Sequence, residues 1–226
     1  MKNLPFIIAA IVLSLSLSSC SRNFYTKANF SPSKTGPMTI AVLPYKIVTT
    51  GRIPRNVTPE DLQAIEEAES QAFQISMYNQ VLRRMNRSRK KPAITVQHFN
   101  ETNNMLTEAG VRLSESWKKS PKELTKLLGV DAVLFSVVHK NQYLTNLESY
   151  GLHLAASLIT VFANRVPWYL PNNRTSDVRI SSSIIDGKDG TTIWAVARNC
   201  PTYWNRNTYD AIEKINFRVT KRIPLR

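Results

Sequence analysis

The sequence predicts an α/β sandwich of two or three layers, in which helices flank a mixed sheet of about five strands. The main observation is the stretch Ser120–Val138, where a helix passes through Gly129 directly into an apolar strand. The helix opens with an S-x-x-E capping box and proline at its first position. The strand, Val130–Val138, is β-branched and apolar on both faces, as in strands covered on both sides. Alternating strand and helix patterns before it also favour helices on the faces of a sheet.

The first predicted strand is Thr39–Leu43, which ends at Pro44. Thr58 then caps a long helix, because proline and two acids follow it at the positive end of the helix dipole. Glu66, Glu67 and Glu69 are expected on the solvent side of this helix. Apolar residues recur at spacings of three and four, which predicts one core-facing stripe: Leu62, Ile65, Ala68, Ala72, Ile75, Tyr78, Leu82 and Met85.

The middle of the chain continues the alternation. Ala93–Phe99 predicts a second strand, Asn100 is expected to cap a short helix that ends at Gly110, and Leu113–Lys119 is a short amphipathic segment. After the organising strand, a polar stripe on an otherwise apolar segment predicts an inserted helix at 146–164. This helix is expected either to be buried on the sheet or to contact a membrane or an oligomer partner. The second alternative selects Leu154, Leu158, Phe162 and Trp168.

The last third of the chain predicts a hairpin and a helix. Two strands, Asp177–Ile185 and Thr191–Ala197, are joined by a loop that contains two glycines. Arg198–Asn207 is expected to be an irregular aromatic loop, and Asn207 to cap a final helix. The final helix has apolar residues at helical spacing: Ala211, Ile212, Ile215 and Val219.

The N-terminus predicts a lipoprotein signal peptide over residues 1–19. A short apolar region ends in Leu17-Ser18-Ser19-Cys20, which resembles a bacterial lipobox, so Cys20 is the expected site of palmitate attachment. The alternative is an ordinary signal with an accidental cysteine. Residues 20–37 then form a flexible lipidated tether, and 38–226 a single α/β domain. In lipoproteins of double-membraned bacteria, an acid after the cysteine favours the inner membrane. Ser21 therefore indicates the outer membrane, and we expect the periplasmic face.

The charge is strongly basic. The net charge is +14, and removal of residues 1–19, which hold one lysine and no acid, leaves +13. An export signal argues against nucleic acid as the partner, so an anionic membrane surface or an acidic envelope protein is expected. A basic run ends the long helix. It is either a solvated terminus that complements the dipole or a contact for lipid headgroups or a partner: Arg83, Arg84, Arg87, Arg89, Lys90 and Lys91.

Residues that could carry catalysis do not group in the sequence. His98, His139 and His153 have no metal-ligand spacing, and the common hydrolase, zinc and redox motifs are absent. Cys200 has no partner once Cys20 is lipidated. We therefore expect no enzyme, no cofactor and no metal site.

The order of these elements resembles a family of envelope lipoproteins. The matching pieces are the I-A-V-L-P strand Ile40–Pro44, the helix and strand Glu123–Val138, and the hairpin Asp186–Ala195. The resemblance is to the α/β domain of the curli secretion channel lipoprotein, of the lipoprotein activators of penicillin-binding proteins and of the Tol-system propeller protein. It implies assembly and protein binding, without catalysis or cofactor.

We therefore expect a lipid-anchored, non-catalytic accessory or assembly factor of the cell envelope, acting through protein contacts that include self-association. The alternative is an oligomeric secretion-channel subunit of the curli type in the outer membrane. That channel carries membrane-crossing hairpins near its later strands, whereas His139–Thr175 predicts a helix. A third alternative, a periplasmic enzyme, would need a pocket that unites His98 or His139 with a carboxylate.

Overall fold

The computed structural model describes residues 24–27, 37–51, 53, 57–87, 94–142, 176–202 and 208–224. In chain order, the elements of these residues are β1 (Phe24–Thr26), β2 (Met38–Val42), β3 (Lys46–Gly51), α1 (Pro59–Asn86), β4 (Ile94–Val96), α2 (Phe99–Glu108), a 3₁₀ helix (Leu113–Lys118), α3 (Pro121–Leu128), β5 (Ala132–Gln142), β6 (Ser176–Asp186), β7 (Thr192–Thr202) and α4 (Thr208–Thr220). The predicted inserted helix at 146–164 lies outside the described residues.

The strands form one mixed sheet in the order β1-β7-β6-β5-β2-β4, and β3 pairs with β5 beyond the end of β2. β2 pairs in parallel with β4 and β5, and β3 also runs parallel to β5. β5, β6, β7 and β1 are successively antiparallel. The predicted α/β class with a mixed sheet is confirmed, and the described sheet has seven strands instead of about five.

The two additional strands are β1 and β3. β1 lies within the segment predicted to be a tether, and residues 28–36 of that segment are outside the described residues. β3 follows β2 after a bulge: Val42 pairs with Leu134 and Lys46 with Val137, so residues 43–45 oppose only 135–136. Pro44 lies in this bulge, where its missing N–H costs no ladder hydrogen bond. The proline separates β2 from β3, and both strands pair with β5.

Helices cover the two faces of the sheet unequally. α1 and α4 cover one face, and the larger core lies between them and the sheet, with Phe73, Trp194 and Ile212 fully buried. α2 and α3 cover the other face only over β2, β4 and the start of β5, where Leu106, Leu124 and Val133 form the smaller core. The described sandwich therefore has three layers at one side and two layers over β6 and β7.

The organising stretch has the predicted local structure. Ser120 and Glu123 form the reciprocal capping box of α3, and Gly129 ends the helix in the left-handed conformation at φ 63°. The strand is covered on both sides only at its start, since Ala132, Val133 and Leu134 are buried. Beyond Leu134 every second side chain is partly or fully exposed. The expectation of a fully covered strand is wrong there, because α3 has only eight residues and its layer ends.

The predicted apolar stripe of α1 is only part of its buried face. Ile65 and Ala72 of the stripe are buried, and Ala68 and Met85 pack against the core. The buried face also carries three apolar residues that the predicted stripe omits: Phe73, Met77 and Val81. Polar side chains complete this face through bonds to fixed partners: Ser70 Oγ donates to the carbonyl of Tyr45 at 2.6 Å, for example. α1 contacts the sheet, α2 and α4, so its buried face is broader than one stripe.

Two further boundaries differ from the prediction. α2 begins at Phe99, and its cap is His98 instead of the predicted Asn100. The Nδ1 of His98 accepts a hydrogen bond from the N–H of Asn100 at 3.2 Å. β7 continues through Arg198 and the buried Cys200 to Thr202, in place of the first half of the expected loop. Pairing with the full length of β6 extends the strand. Residues 203–207 lie outside the described part.

Candidate interaction surfaces

The predicted contact residues fall in two groups. Arg83, Arg84 and Arg87 are described at the end of α1. The others lie outside the described residues, so their predicted roles stay predictions: Cys20, Arg89, Lys90, Lys91, Leu154, Leu158, Phe162 and Trp168.

The described arginines of the basic run are partly used inside the domain. Arg83 pairs with Glu213 of α4 at 3.3 Å, and Arg84 donates to the carbonyl of Ile223 at 3.3 Å. Arg87 is the C-cap residue of α1 and is exposed. Two of the described arginines therefore join α1 to the chain's last helix and turn.

A surface that the sequence analysis missed lies at the end of α4. The guanidinium of Arg222 is 5.3 Å from the ring centre of Phe24, and Lys221 Nζ is 4.5 Å from that of Phe217. The two rings are unusually open to solvent for phenylalanine, at 38% and 40% exposure. We call Phe24, Phe217, Lys221 and Arg222 the basic corner. No local pattern could reveal it, because it joins the first described strand to the last turn of the chain.

A second surface is the face of β5, β6, β7 and β1 that none of the described helices covers. Phe135, Ser183, Ala195 and Tyr25 lie side by side on these four strands. Val137, Ser181 and Ala197 form the next row. Together they line a groove of about 480 Å³, which we call the sheet groove. Its floor has only small side chains, and larger ones stand on the outer strands.

The dimensions and charges of the sheet groove suit one helix. Phe135 and Tyr25 are three strand spacings apart, which is about 14 Å, and a helix with its side chains is about 10–12 Å wide. Past Val137 the same face becomes polar, where His139 pairs in register with Arg179. On the neighbouring strand Lys46 lies beside Val137, with its Nζ 3.5 Å from the ring centre of Trp117.

The buried polar groups serve the core. Lys140 Nζ donates to both carboxylate oxygens of Glu69 at 2.6 and 2.7 Å, in a pair that is almost fully buried. The Tyr45 hydroxyl donates to Asn216 Oδ1 at 2.9 Å. Burial raises the pKa of Tyr45 and outweighs a hydrogen bond with Ser136 that lowers it. These hydrogen bonds connect β5 to α1 and the residue before β3 to α4.

The other residues that could carry chemistry are separated. His98 stacks on Phe99, and His139 is exposed on the uncovered sheet face; His153 is outside the described residues. Ser182 Oγ is bonded to Ser136 Oγ at 2.8 Å, while its two neighbours point to the opposite face. In the described ranges, no three His, Cys, Asp or Glu side chains could hold a metal ion. None of the helices described is long and apolar enough to cross a membrane.

No protein-family model and no curated protein sequence matches the chain. Among solved structures, it is similar to lipoprotein GNA1162 from Neisseria meningitidis, with 13% identity and a TM-score of 0.44 over 82% of this chain and 96% of that one. It is also similar to the C-terminal domain of LpoB from Salmonella enterica, with 11% identity and a TM-score of 0.39 over 76% and 93%. A third similar structure is a PelC dodecamer from Paraburkholderia phytofirmans, with 10% identity and a TM-score of 0.43 over 90% of this chain and 96% of that one. Likeness at this level carries no conclusion about activity or partners.

Proposed function

We propose that the protein is a lipid-anchored, non-catalytic accessory or assembly factor of the bacterial cell envelope. The observation that carries the proposal is the lipobox Leu17-Ser18-Ser19-Cys20 after a short apolar signal region. Acylation of Cys20 places the domain at a membrane outside the cytoplasm. Ser21 favours the outer membrane, and the lack of an acidic run after Cys20 favours its periplasmic face. There the protein acts by presenting surfaces to other molecules.

The distribution of reactive groups supports a role without catalysis. The Glu69 carboxylate, the Tyr45 hydroxyl and the Ser182 hydroxyl are each engaged by a neighbouring side chain in the core. The Cys200 thiol is buried. General acid–base or nucleophilic catalysis needs such groups to converge where a substrate can reach them. The two open features described above, the sheet groove and the basic corner, are suited to binding instead.

The partner that fits the sheet groove is an acidic amphipathic helix of an envelope protein. Small floor residues allow a helix to approach the strands closely, and Phe135 and Tyr25 would flank its apolar face. The cations next to the groove, Lys46 and Arg179, favour acids at one end of that helix. The net charge of +13 that remains after removal of residues 1–19 also favours an acidic partner.

The anchor is tested by the variant Cys20→Ala. Wild-type chain expressed in a double-membraned bacterium is expected to incorporate labelled palmitate and to fractionate with the outer membrane. The variant is expected to lose both the label and the membrane fraction. A wild-type chain without label would contradict the anchor.

The partner surface is tested by Ser181→Arg, which places a long side chain on the floor of the sheet groove. Asn104→Arg is the matched control, since Asn104 is exposed on α2 and the charge change is the same. Cross-linking in cells followed by mass spectrometry should give a partner adduct that the groove variant loses and the control keeps. An adduct insensitive to Ser181→Arg would exclude the groove. Ring particles of the purified lipoprotein in electron micrographs would favour the secretion-channel alternative.

A further inference from the structure

The chain is fixed to the domain only four residues after the predicted lipid site. Phe24, Tyr25 and Thr26 pair with Val196, Ala195 and Trp194 of β7. The N–H of Lys27 then donates to the carbonyl of Ile193 at 2.9 Å, and its Nζ donates to Thr191 Oγ1 at 3.0 Å. β1 is therefore joined to the sheet by its backbone and by the side chain that follows it.

This attachment limits the distance between the domain and the membrane. A fully extended chain spans at most about 3.3–3.6 Å per residue, so Phe24 lies within roughly 14 Å of Cys20. Counted to the start of β2, a free tether of the same chain would allow roughly 60 Å. If Cys20 carries lipid, β1 holds one side of the domain next to the headgroups. This step rests on the anchor proposed above.

The side that is held there is the basic corner. Arg222 lies over the ring of Phe24 itself, and Lys221 lies over Phe217 one turn earlier on α4. Arg84 reaches the same turn of the chain through the carbonyl of Ile223. Cations beside exposed aromatic rings match a bilayer surface, where phosphates attract the cations and the rings enter the interface.

We propose that the basic corner binds the anionic headgroups of the membrane that holds the Cys20 lipid. The Cys20 lipid supplies the attachment, and the cations of the basic corner hold this side of the domain against the anionic surface. Each cation at an anionic surface contributes a factor of about five in binding. Lys221 and Arg222 together therefore strengthen contact about 25-fold, and the contact fixes which side of the domain faces the periplasm.

The experiment uses the acylated full-length protein, purified in detergent and reconstituted on vesicles of phosphatidylcholine with phosphatidylglycerol. Phe217→Cys provides a labelling site on the corner, because Cys200 is buried and Cys20 is acylated. An aromatic fluorophore takes the place of the phenyl ring, and all variants are compared with this labelled protein. An environment-sensitive fluorophore at 217 is expected to be quenched by headgroup-level spin-labelled lipid. The same fluorophore at Lys126→Cys, exposed on α3 of the opposite helix layer, is expected to be quenched far less.

Charge reversal identifies the cations. Lys221→Glu with Arg222→Glu should lower the equilibrium constant for headgroup contact, measured from quenching at 217, by at least about 25-fold, while vesicle flotation persists through the lipid. Lys122→Glu with Lys126→Glu, on exposed positions of α3, makes the same charge change and should leave quenching at 217 intact. The milder pair Lys221→Gln and Arg222→Gln replaces the glutamate variant if that one fails to fold, and should also reduce quenching.

The outcomes separate the two proposals. Flotation without quenching at 217 overturns the headgroup contact and leaves the anchor standing. If the protein without substitutions does not float with the vesicles, both the anchor and the headgroup contact are overturned, because the distance argument needs the lipid. Quenching that requires envelope proteins on the vesicles assigns the corner to a protein partner and overturns the lipid proposal.

Discussion

At the scale of single residues, Tyr45 makes the stability of the fold depend on pH in the alkaline range. Burial raises its pKa above the ordinary value of 10.0, so the folded state keeps the phenol neutral where the unfolded chain ionises. Its stabilising contribution is complete below pH 10 and is lost as pH rises further. We expect the free energy of unfolding to fall by about 1.4 kcal/mol per pH unit above pH 10 from this residue alone.

Urea titrations at pH 8 to 11 of the wild type and of Tyr45→Phe measure this. The variant loses the bond to Asn216 and is about 1 kcal/mol less stable at neutral pH, but its additional alkaline slope should disappear. Parallel pH profiles of the two proteins would show that Tyr45 ionises freely in the folded state.

The buried pair of Lys140 and Glu69 gives a second prediction at this scale. Lys140→Met removes a cation that binds both carboxylate oxygens and leaves the Glu69 charge in the core. We expect a loss of about 3–5 kcal/mol in the free energy of unfolding, and recovery of most of it in the double variant with Glu69→Met. Lys126→Met, at an exposed position, is the control and should change stability by no more than about 0.5 kcal/mol. Equal losses in the single and double variants would contradict the argument.

At the scale of elements, the turn between β6 and β7 packs against α3 only because residue 187 is a glycine. A Cβ added at Gly187 would collide with the side chain of Thr125 on α3, while the Gly187 N–H donates to the carbonyl of Asp131 at 2.9 Å. Gly187→Ala must therefore push α3 away from the turn. We expect a loss of about 1–3 kcal/mol by urea denaturation, and almost none for Lys188→Ala in the same turn. An unaffected Gly187→Ala variant would mean that the helix moves aside freely.

The elements also show which parts of the fold can be derived from sequence. The cap at Thr58, the capping box at Ser120 and the stop at Gly129 depend on neighbouring residues, and the structure confirms them. The buried face of α1 could not be derived, because Glu69, Ser70 and Gln74 are buried by partners on other elements. β1 carries no apolar run of its own, and it forms a strand because β7 offers it a free edge.

The same division holds for the candidate surfaces at the scale of the whole molecule. Arg83, Arg84 and Arg87 are visible as a basic run, but the bonds of the first two to α4 and its following turn depend on tertiary packing. Among the described elements, the sheet groove is open because α2 and α3 cover their face only over β2, β4 and the start of β5, which no local pattern encodes. The basic corner joins residues almost 200 positions apart.

The length of chain between the lipid and β1 gives a prediction for the whole molecule. Twelve Gly-Ser residues inserted between Ser21 and Arg22 would lengthen the connection from four to sixteen residues. The effective concentration of the corner at its own membrane falls roughly as the −3/2 power of linker length, which is about eightfold here. The headgroup contact measured by quenching at position 217 should weaken by the same factor, and lower concentrations of salt should suffice to break it. Flotation should not change, because the lipid is untouched. A quenching signal independent of insert length would mean that the corner finds the membrane without help from β1. The orientation of the domain would then come from its surface charge alone.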